Sequence, residues 1–244
     1  MNTKALVAEF VGTFAFVFAV IGSIAGNTTQ TGNAPNLDWS ALAQGAALAS
    51  LVTATAAVSG GHLNPAVTFG AWLTRKIDLK NAVGYIIVQV AAGIAAAALL
   101  TIAFPAATLK AVGLGAAKLG STGTTVLENQ VTVGMGFVME FFLTFFLVFV
   151  VFGTALDQRA PRLGGLFIGL TIAFDVIVGG PISGASMNPA RYLGPALLGG
   201  APLREYWVYL VAEFAAGAVA ALLYQGLLAE RRRNGLREHQ ATEF

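Results

Sequence analysis

The sequence predicts an all-α membrane protein of six transmembrane helices and two re-entrant half-helices, arranged as an inverted repeat. Three observations carry that expectation. Hydrophobic residues make up 56% of the 244 positions and charged residues only 11%, with a mean hydropathy of +0.73, far too apolar for a soluble domain of this length. Six runs reach the roughly 20 residues that cross a hydrocarbon core. Finally, one motif occurs twice: Ser59 to Gly70 reads SGGHLNPAVTFG and Ser183 to Gly194 reads SGASMNPARYLG, 124 positions apart throughout.

The six spans are Ala5 to Ala25, Trp39 to Val58, Ala82 to Phe104, Thr132 to Ala155, Leu163 to Gly179 and Tyr206 to Leu228. The first is too long for a cleavable leader, and mid-chain residues repeat it. Glu, Phe, Thr, Phe, Val, Phe, Val and Gly recur in register between Glu9 to Ser23 and Glu140 to Thr154, 131 positions on. The third and sixth spans match at the motif's own offset, Ala91-Ala92-Gly93 against Ala215-Ala216-Gly217. The chain therefore reads as one membrane domain, with repeat one over about residues 4–104, repeat two over about 132–229 and a cytoplasmic tail at 230–244.

Three spans per repeat is an odd number, so the second copy enters the membrane the opposite way up. Lys and Arg counting orients the whole. With both termini cytoplasmic, the inside holds ten: Lys4, Arg75, Lys76, Lys80, Arg159, Arg162, Arg231, Arg232, Arg233 and Arg237. The outside holds four, Lys110, Lys118, Arg191 and Arg204.

In each motif Asn followed by Pro signals a helix start. Asn caps the first turn with its side-chain oxygen, and Pro at the first helical position lacks a donor that would be orphaned there anyway. Capping leaves the amide NH2 of Asn64 and of Asn188, two donors each, free to point elsewhere. A segment such as Asn64 to Leu73 is half of a span, and at membrane depth its backbone must be buried in protein or line a cavity. Inverted symmetry brings the two half-helix N-termini together, each with partial positive charge and donors. That lining favours a polar neutral molecule and opposes a cation.

Other classes are excluded or left without support. The chain has no cysteine, so neither a disulfide framework nor a thiolate metal site is available, and no metal or other cofactor is expected. A formal charge of +2 does not suggest nucleic acid. Expected partners are the lipid bilayer, water and small neutral solutes, in a multi-pass protein of the cell membrane.

With the spans, the inverted repeat, SGGHLNPAVT, SMNPAR and the AEFVGT-type opening of the first and fourth spans in view, the chain resembles the aquaporin and aquaglyceroporin family, the major intrinsic proteins. The resemblance implies a homotetramer with one pore per subunit and no enzymatic step. It places Asn64, Pro65, Ala66, Asn188, Pro189 and Ala190 at the midplane and Arg191 in an outer constriction. Gln44, Val176 and Ala185 complete that constriction. Strict water channels tend to have Phe, His and a small or Cys residue there, glycerol facilitators Trp, Gly and Phe; Gln, Val, Ala and Arg look most like the filters of plant tonoplast intrinsic proteins. Glu9 and Glu140 match carboxylates that accept hydrogen bonds from the backbone of the re-entrant loops.

Some residues depart from the family pattern. Glu213 stands where Pro is usual, its repeat counterpart being Gln89, and Asp175 adjoins Val176. Rotated by about 100° from Val176 on a helix, Asp175 is expected to face a helix contact or the tetramer axis, paired with a polar group. His62 reads as a loop-packing residue, and Arg231 to Arg233 as the positive flank of the last span. The function expected is a passive channel for water and small neutral solutes such as ammonia, urea, glycerol or hydrogen peroxide, closed to protons and ions. A glycerol-preferring facilitator and a proton-coupled transporter using Asp175 or Glu213 are the alternatives.

Overall fold

A computed structural model describes residues 2–120, 130–157 and 163–241, the side chains of residues 203 and 228–241 excepted. Arg159 and Arg162 lie outside the described residues, as do the side chains of Arg231, Arg232, Arg233 and Arg237. Among the described residues six helices are long and apolar enough to cross a membrane. In chain order they are α1 (Thr3–Thr31), α2 (Leu37–Ser59), α4 (Leu79–Ala103), α6 (Val133–Val151, extended by a π-helical turn Phe152–Leu156), α7 (Gly164–Ser183) and α9 (Tyr206–Ala241). The half-helices are α3 (Pro65–Leu73) and α8 (Pro189–Gly199), and a short α5 (Ala106–Ala111) follows α4. At 1.5 Å per residue, α3 is about 14 Å long, half a hydrocarbon core.

Local chemistry sets most boundaries. Asn36 caps α2 by accepting from Trp39 N at 2.8 Å, Asp78 caps α4 through Asn81 N at 3.0 Å, and Thr132 caps α6 through Met135 N at 3.2 Å. α1 runs six residues past the expected Ala25. In its polar end Thr29 and Thr31 return their hydroxyls to the Ala25 and Asn27 carbonyls at 2.8 and 2.9 Å, and Gly32, at φ 70°, closes the helix. The backbone of α9 is helical beyond the apolar stretch Tyr206–Leu227, into the expected tail.

The packing follows the inverted repeat. α2 lies against α7, α1 against α4 and α6 against α9, and each half-helix docks on the other repeat, α3 on α9 and α8 on α4. Small residues permit these crossings: a Cβ placed on Gly45 would lie 2.6 Å from the Gly169 carbonyl oxygen, and one on Gly70 would lie 2.9 Å from that of Gly217. Large apolar side chains meanwhile face outward, among them Val11, Ile87, Phe142, Leu170 and Val219. Lipid as solvent accounts for that belt.

Asp175 takes the helix-contact alternative of its expectation but lacks the polar partner expected there. It is fully buried within the single chain, so it faces no assembly axis, and neither carboxylate oxygen has a hydrogen-bond partner.

Candidate functional site

Both Asn-Pro turns are built the same way. Asn64 and Asn188 are extended, at φ −157° and −155°, and cap α3 and α8. Asn64 Oδ1 accepts from Ala66 N at 2.8 Å, and Asn188 Oδ1 from Ala190 N at 3.0 Å and Arg191 N at 3.3 Å. The opposite side of each amide crosses to the other repeat: Asn64 Nδ2 donates to the Met187 carbonyl at 2.8 Å, and Asn188 Nδ2 to that of Leu63 at 2.9 Å. Each Asn thus keeps one N–H, not two, for a passing molecule.

The loops leading into the caps turn through left-handed residues in matched order. These are Gly60, Gly61 and Leu63 in repeat one and Gly184, Ala185 and Met187 in repeat two. Leu63, Ala185 and Met187 carry side chains at φ 49°, 46° and 55°, a conformation that costs about 1–2 kcal/mol per residue. Buried carboxylates offset it. Glu9 accepts from His62 N at 2.9 Å and Leu63 N at 2.7 Å, and Glu140 from Ser186 N and Met187 N, both at 2.9 Å.

Two cavities have residues of the two loops on their walls. The wider, about 500 Å³, has Ser40, Gln44, Lys118, Val176, Gly184 and Arg191 on its wall. Arg191 reaches the Gly184 carbonyl through Nη2 at 3.4 Å, while its Nε and Nη1 have no protein partner. Gln44, Val176 and Arg191 are therefore brought together; Ala185 is buried and off this wall. The narrower cavity, about 10 Å³, has both Asn64 and Asn188 on its wall together with apolar side chains of α1, α2, α6 and α7. Among the described residues no group of His, Asp and Glu is arranged to hold a metal ion.

The sequence profile of the major intrinsic protein family matches residues 1–224. The chain belongs to the major intrinsic proteins. It is 41% identical over 239 residues to the probable aquaporin TIP3-2 of Arabidopsis thaliana, covering 93% of this chain and 84% of that one. To aquaporin AqpM of Methanothermobacter marburgensis it is 37% identical over 251 residues, covering 93% and 98%. Its fold matches the X-ray structure of the aquaglyceroporin from Plasmodium falciparum with a TM-score of 0.78, at 24% identity over 92% of this chain and 96% of that one. This major intrinsic protein is thus a multi-pass membrane channel of the aquaporin family and not an enzyme.

Sequence reasoning passed over two tyrosines of this aquaporin-family site. Tyr85 OH donates to the Ser59 carbonyl at 3.0 Å and Tyr209 OH to the Ser183 carbonyl at 2.7 Å, fastening the start of each loop. Their 124-residue separation was the available signal. His62 packs as expected, Nδ1 3.1 Å from Thr68 Oγ1 and its ring edge-on to Tyr85 at 5.4 Å, and it also lines the narrow cavity. Gln89 donates to Glu9 Oε2 at 2.8 Å and to Thr68 Oγ1 at 3.0 Å. Its counterpart Glu213 is fully buried near Glu140 and Arg191, and neither of its oxygens has a partner meeting hydrogen-bond geometry.

Proposed function

We propose that the protein passively conducts water, ammonia and urea, and glycerol weakly, while excluding protons and ions. It does so as a homotetramer of the cell membrane with both termini cytoplasmic. In this reading Asn64-Pro65-Ala66 and Asn188-Pro189-Ala190 sit at the midplane, and Gln44, Val176, Ala185 and Arg191 form the outer constriction. Glu9 and Glu140 support the loops. Ala185 contributes through its left-handed backbone, beside Gly184 on the wall.

The observation that carries the reading is the crossed pair of Asn amides. They cap two opposed half-helices, and both line the narrow cavity. Each passing molecule meets one N–H per Asn and two positive helix ends, a lining that serves a neutral acceptor and repels a cation. Arg191, with two nitrogens unpartnered, adds fixed positive charge in the wide cavity.

The test is osmotic and solute permeability of purified protein in liposomes, with proton flux measured on the same preparation. Wild type should pass water with no detectable proton flux. Arg191→Val should keep or raise neutral permeability and weaken the barrier to cations. A measurable wild-type proton current would sink the mechanism.

A second reading rests on Asp175 and Glu213, acids buried inside spans whose oxygens make no contact of hydrogen-bond geometry. A proton-coupled transporter would use them. Its flux would saturate and respond to a proton gradient, whereas a channel's follows the solute gradient alone.

A further inference from the structure

We infer that the narrow cavity contains a second, apolar constriction, and that Val52, Val67 and Ile168, with the backbone of Gly61, set the size and polarity limit of the channel. The inference rests on the channel reading above and adds the position at which solutes are sorted.

The repeat itself generates this ring. At the 124-residue offset, Gln44 corresponds to Ile168, Val52 to Val176, Gly61 to Ala185 and Val67 to Arg191. The four residues of the proposed outer filter thus have four counterparts on the opposite side of the Asn pair. All four counterparts lie on the wall of the narrow cavity. Symmetry preserves the place and changes the chemistry. Where one ring has an amide and a guanidinium, the other has Ile168 and Val67, both 2% exposed. Gly61, at φ 63°, brings backbone to the wall, and a Cβ there would meet the Val52 carbonyl oxygen at 3.0 Å.

Size points the same way. The narrow cavity has about 10 Å³, room for the centre of roughly one water molecule, whereas Gln44, Val176 and Arg191 line a space of about 500 Å³ that also takes in the outer mouth at Asn33, Ala34 and Pro35. Among the described residues, polar side chains reach the narrow cavity only from His62, Asn64 and Asn188. A molecule passing Val52, Val67 and Ile168 therefore keeps hydrogen bonds on one side and loses them on the others. Water and ammonia, small and with few groups to satisfy, lose little. Urea, with donors around its plane, loses more and needs more width. Hydrophobic constrictions of this kind control passage by dewetting as well as by diameter.

The experiment measures water and urea permeability of the full-length protein in liposomes for wild type, Val52→Ala, Ile168→Ala and Val176→Ala. Removing methyl groups from the apolar ring should raise the urea-to-water ratio by roughly tenfold, the scale on which an apolar site senses one or two carbon atoms. Val176→Ala, at the position matching Val52 in the outer ring, should raise it less. Because truncation can loosen helix packing, Val52→Thr gives a near-isosteric second reading. Its hydroxyl leaves lone pairs for passing water even while donating to its own helix, and water permeability should rise by about twofold or more. An equal or larger effect of Val176→Ala, an unchanged ratio in both α2 and α7 alanine variants, or no rise in Val52→Thr would overturn the ring as the limiting element. Absence of wild-type water flux would overturn the channel reading and the ring with it; water flux with an unaltered urea ratio would overturn the ring alone.

Discussion

Asn64 donates from Nδ2 to the carbonyl of Met187 at 2.8 Å, so the cap of one half-helix also fixes the loop that feeds the other. The reciprocal bond from Asn188 to Leu63 closes the junction from both sides.

Splitting the two jobs of Asn64 is the first prediction. Asn64→Asp keeps an oxygen for Ala66 N and replaces the crossing donor with an acceptor facing the Met187 carbonyl. It should destabilise the protein by about 1–3 kcal/mol, the scale of leaving a buried polar group unsatisfied. Asn64→Ala removes cap and crossing bond together, with the cap adding about 1 kcal/mol of its own loss. Thermal unfolding of detergent-purified protein reads both. A wild-type melting profile for Asn64→Asp would mean that the crossing bond adds nothing to stability.

The half-helices were legible because Asn-Pro is a local signal, and Glu9 and Glu140 because the repeat aligns them. The crossing amide bonds were not, since they join residues 123 and 125 positions apart and depend on how two loops meet. Tyr85 and Tyr209 were missed because a tyrosine in a span reads as packing or an interface anchor until its hydroxyl is seen to donate. The direction of Asp175 was beyond the sequence for a different reason. Helical geometry gives its angle from Val176, but whether that flank meets another helix of the chain or the assembly axis depends on how the spans pack, and the residue is buried inside the single chain. Hydropathy marks where the apolar run of α1 ends, at Ala25, whereas the helix itself runs on to the left-handed cap at Gly32.

Glu213 leads to the second prediction. At the matching place in repeat one, Gln89 gives its amide to Glu9 and Thr68. Glu213 presents a carboxyl group towards Glu140, another acid, with Ser186 and the Asn188 backbone near it but no contact that meets hydrogen-bond geometry. Glu213→Gln supplies the donor that repeat one uses, and should stabilise the protein by about 1–3 kcal/mol by relieving an unsatisfied buried group. Tm should rise while osmotic water permeability stays within the spread of wild-type preparations. A fall in stability would show that the carboxyl group is held by a bond to Ser186 or Arg191 that Gln cannot replace.

Asp175 separates the channel from a coupled transporter. It is buried without a hydrogen-bond partner and has Glu140 as an acidic neighbour. Asp175→Asn removes the ability to titrate at nearly constant volume. For a channel, urea and water permeabilities of the variant should be independent of pH and of an imposed proton gradient, as in wild type. A gradient-driven solute flux in wild type that disappears in Asp175→Asn, with assembly intact, would support proton coupling.

The last prediction concerns Val176, which shares the wall of the wide cavity with Gln44 and Arg191. Val176→His adds an imidazole, and with it bulk and a donor, to a constriction that otherwise has a flexible amide and a small aliphatic group there. Urea and ammonia permeability should fall far more than water permeability, because water can pass a narrower ring and can use the new donor. Two rings in one lumen act as resistances in series, so a change at the wider one is felt in part while the narrower is intact and more fully when the narrower has been opened. The loss of urea permeability caused by Val176→His should therefore be larger in the Val52→Ala background than in the otherwise native protein. Stopped-flow light scattering on the four proteins of this cycle, wild type, each single variant and the double, gives the comparison directly. Equal proportional losses in both backgrounds would mean that the inner ring adds no resistance and that Val176 already sits at the narrowest point.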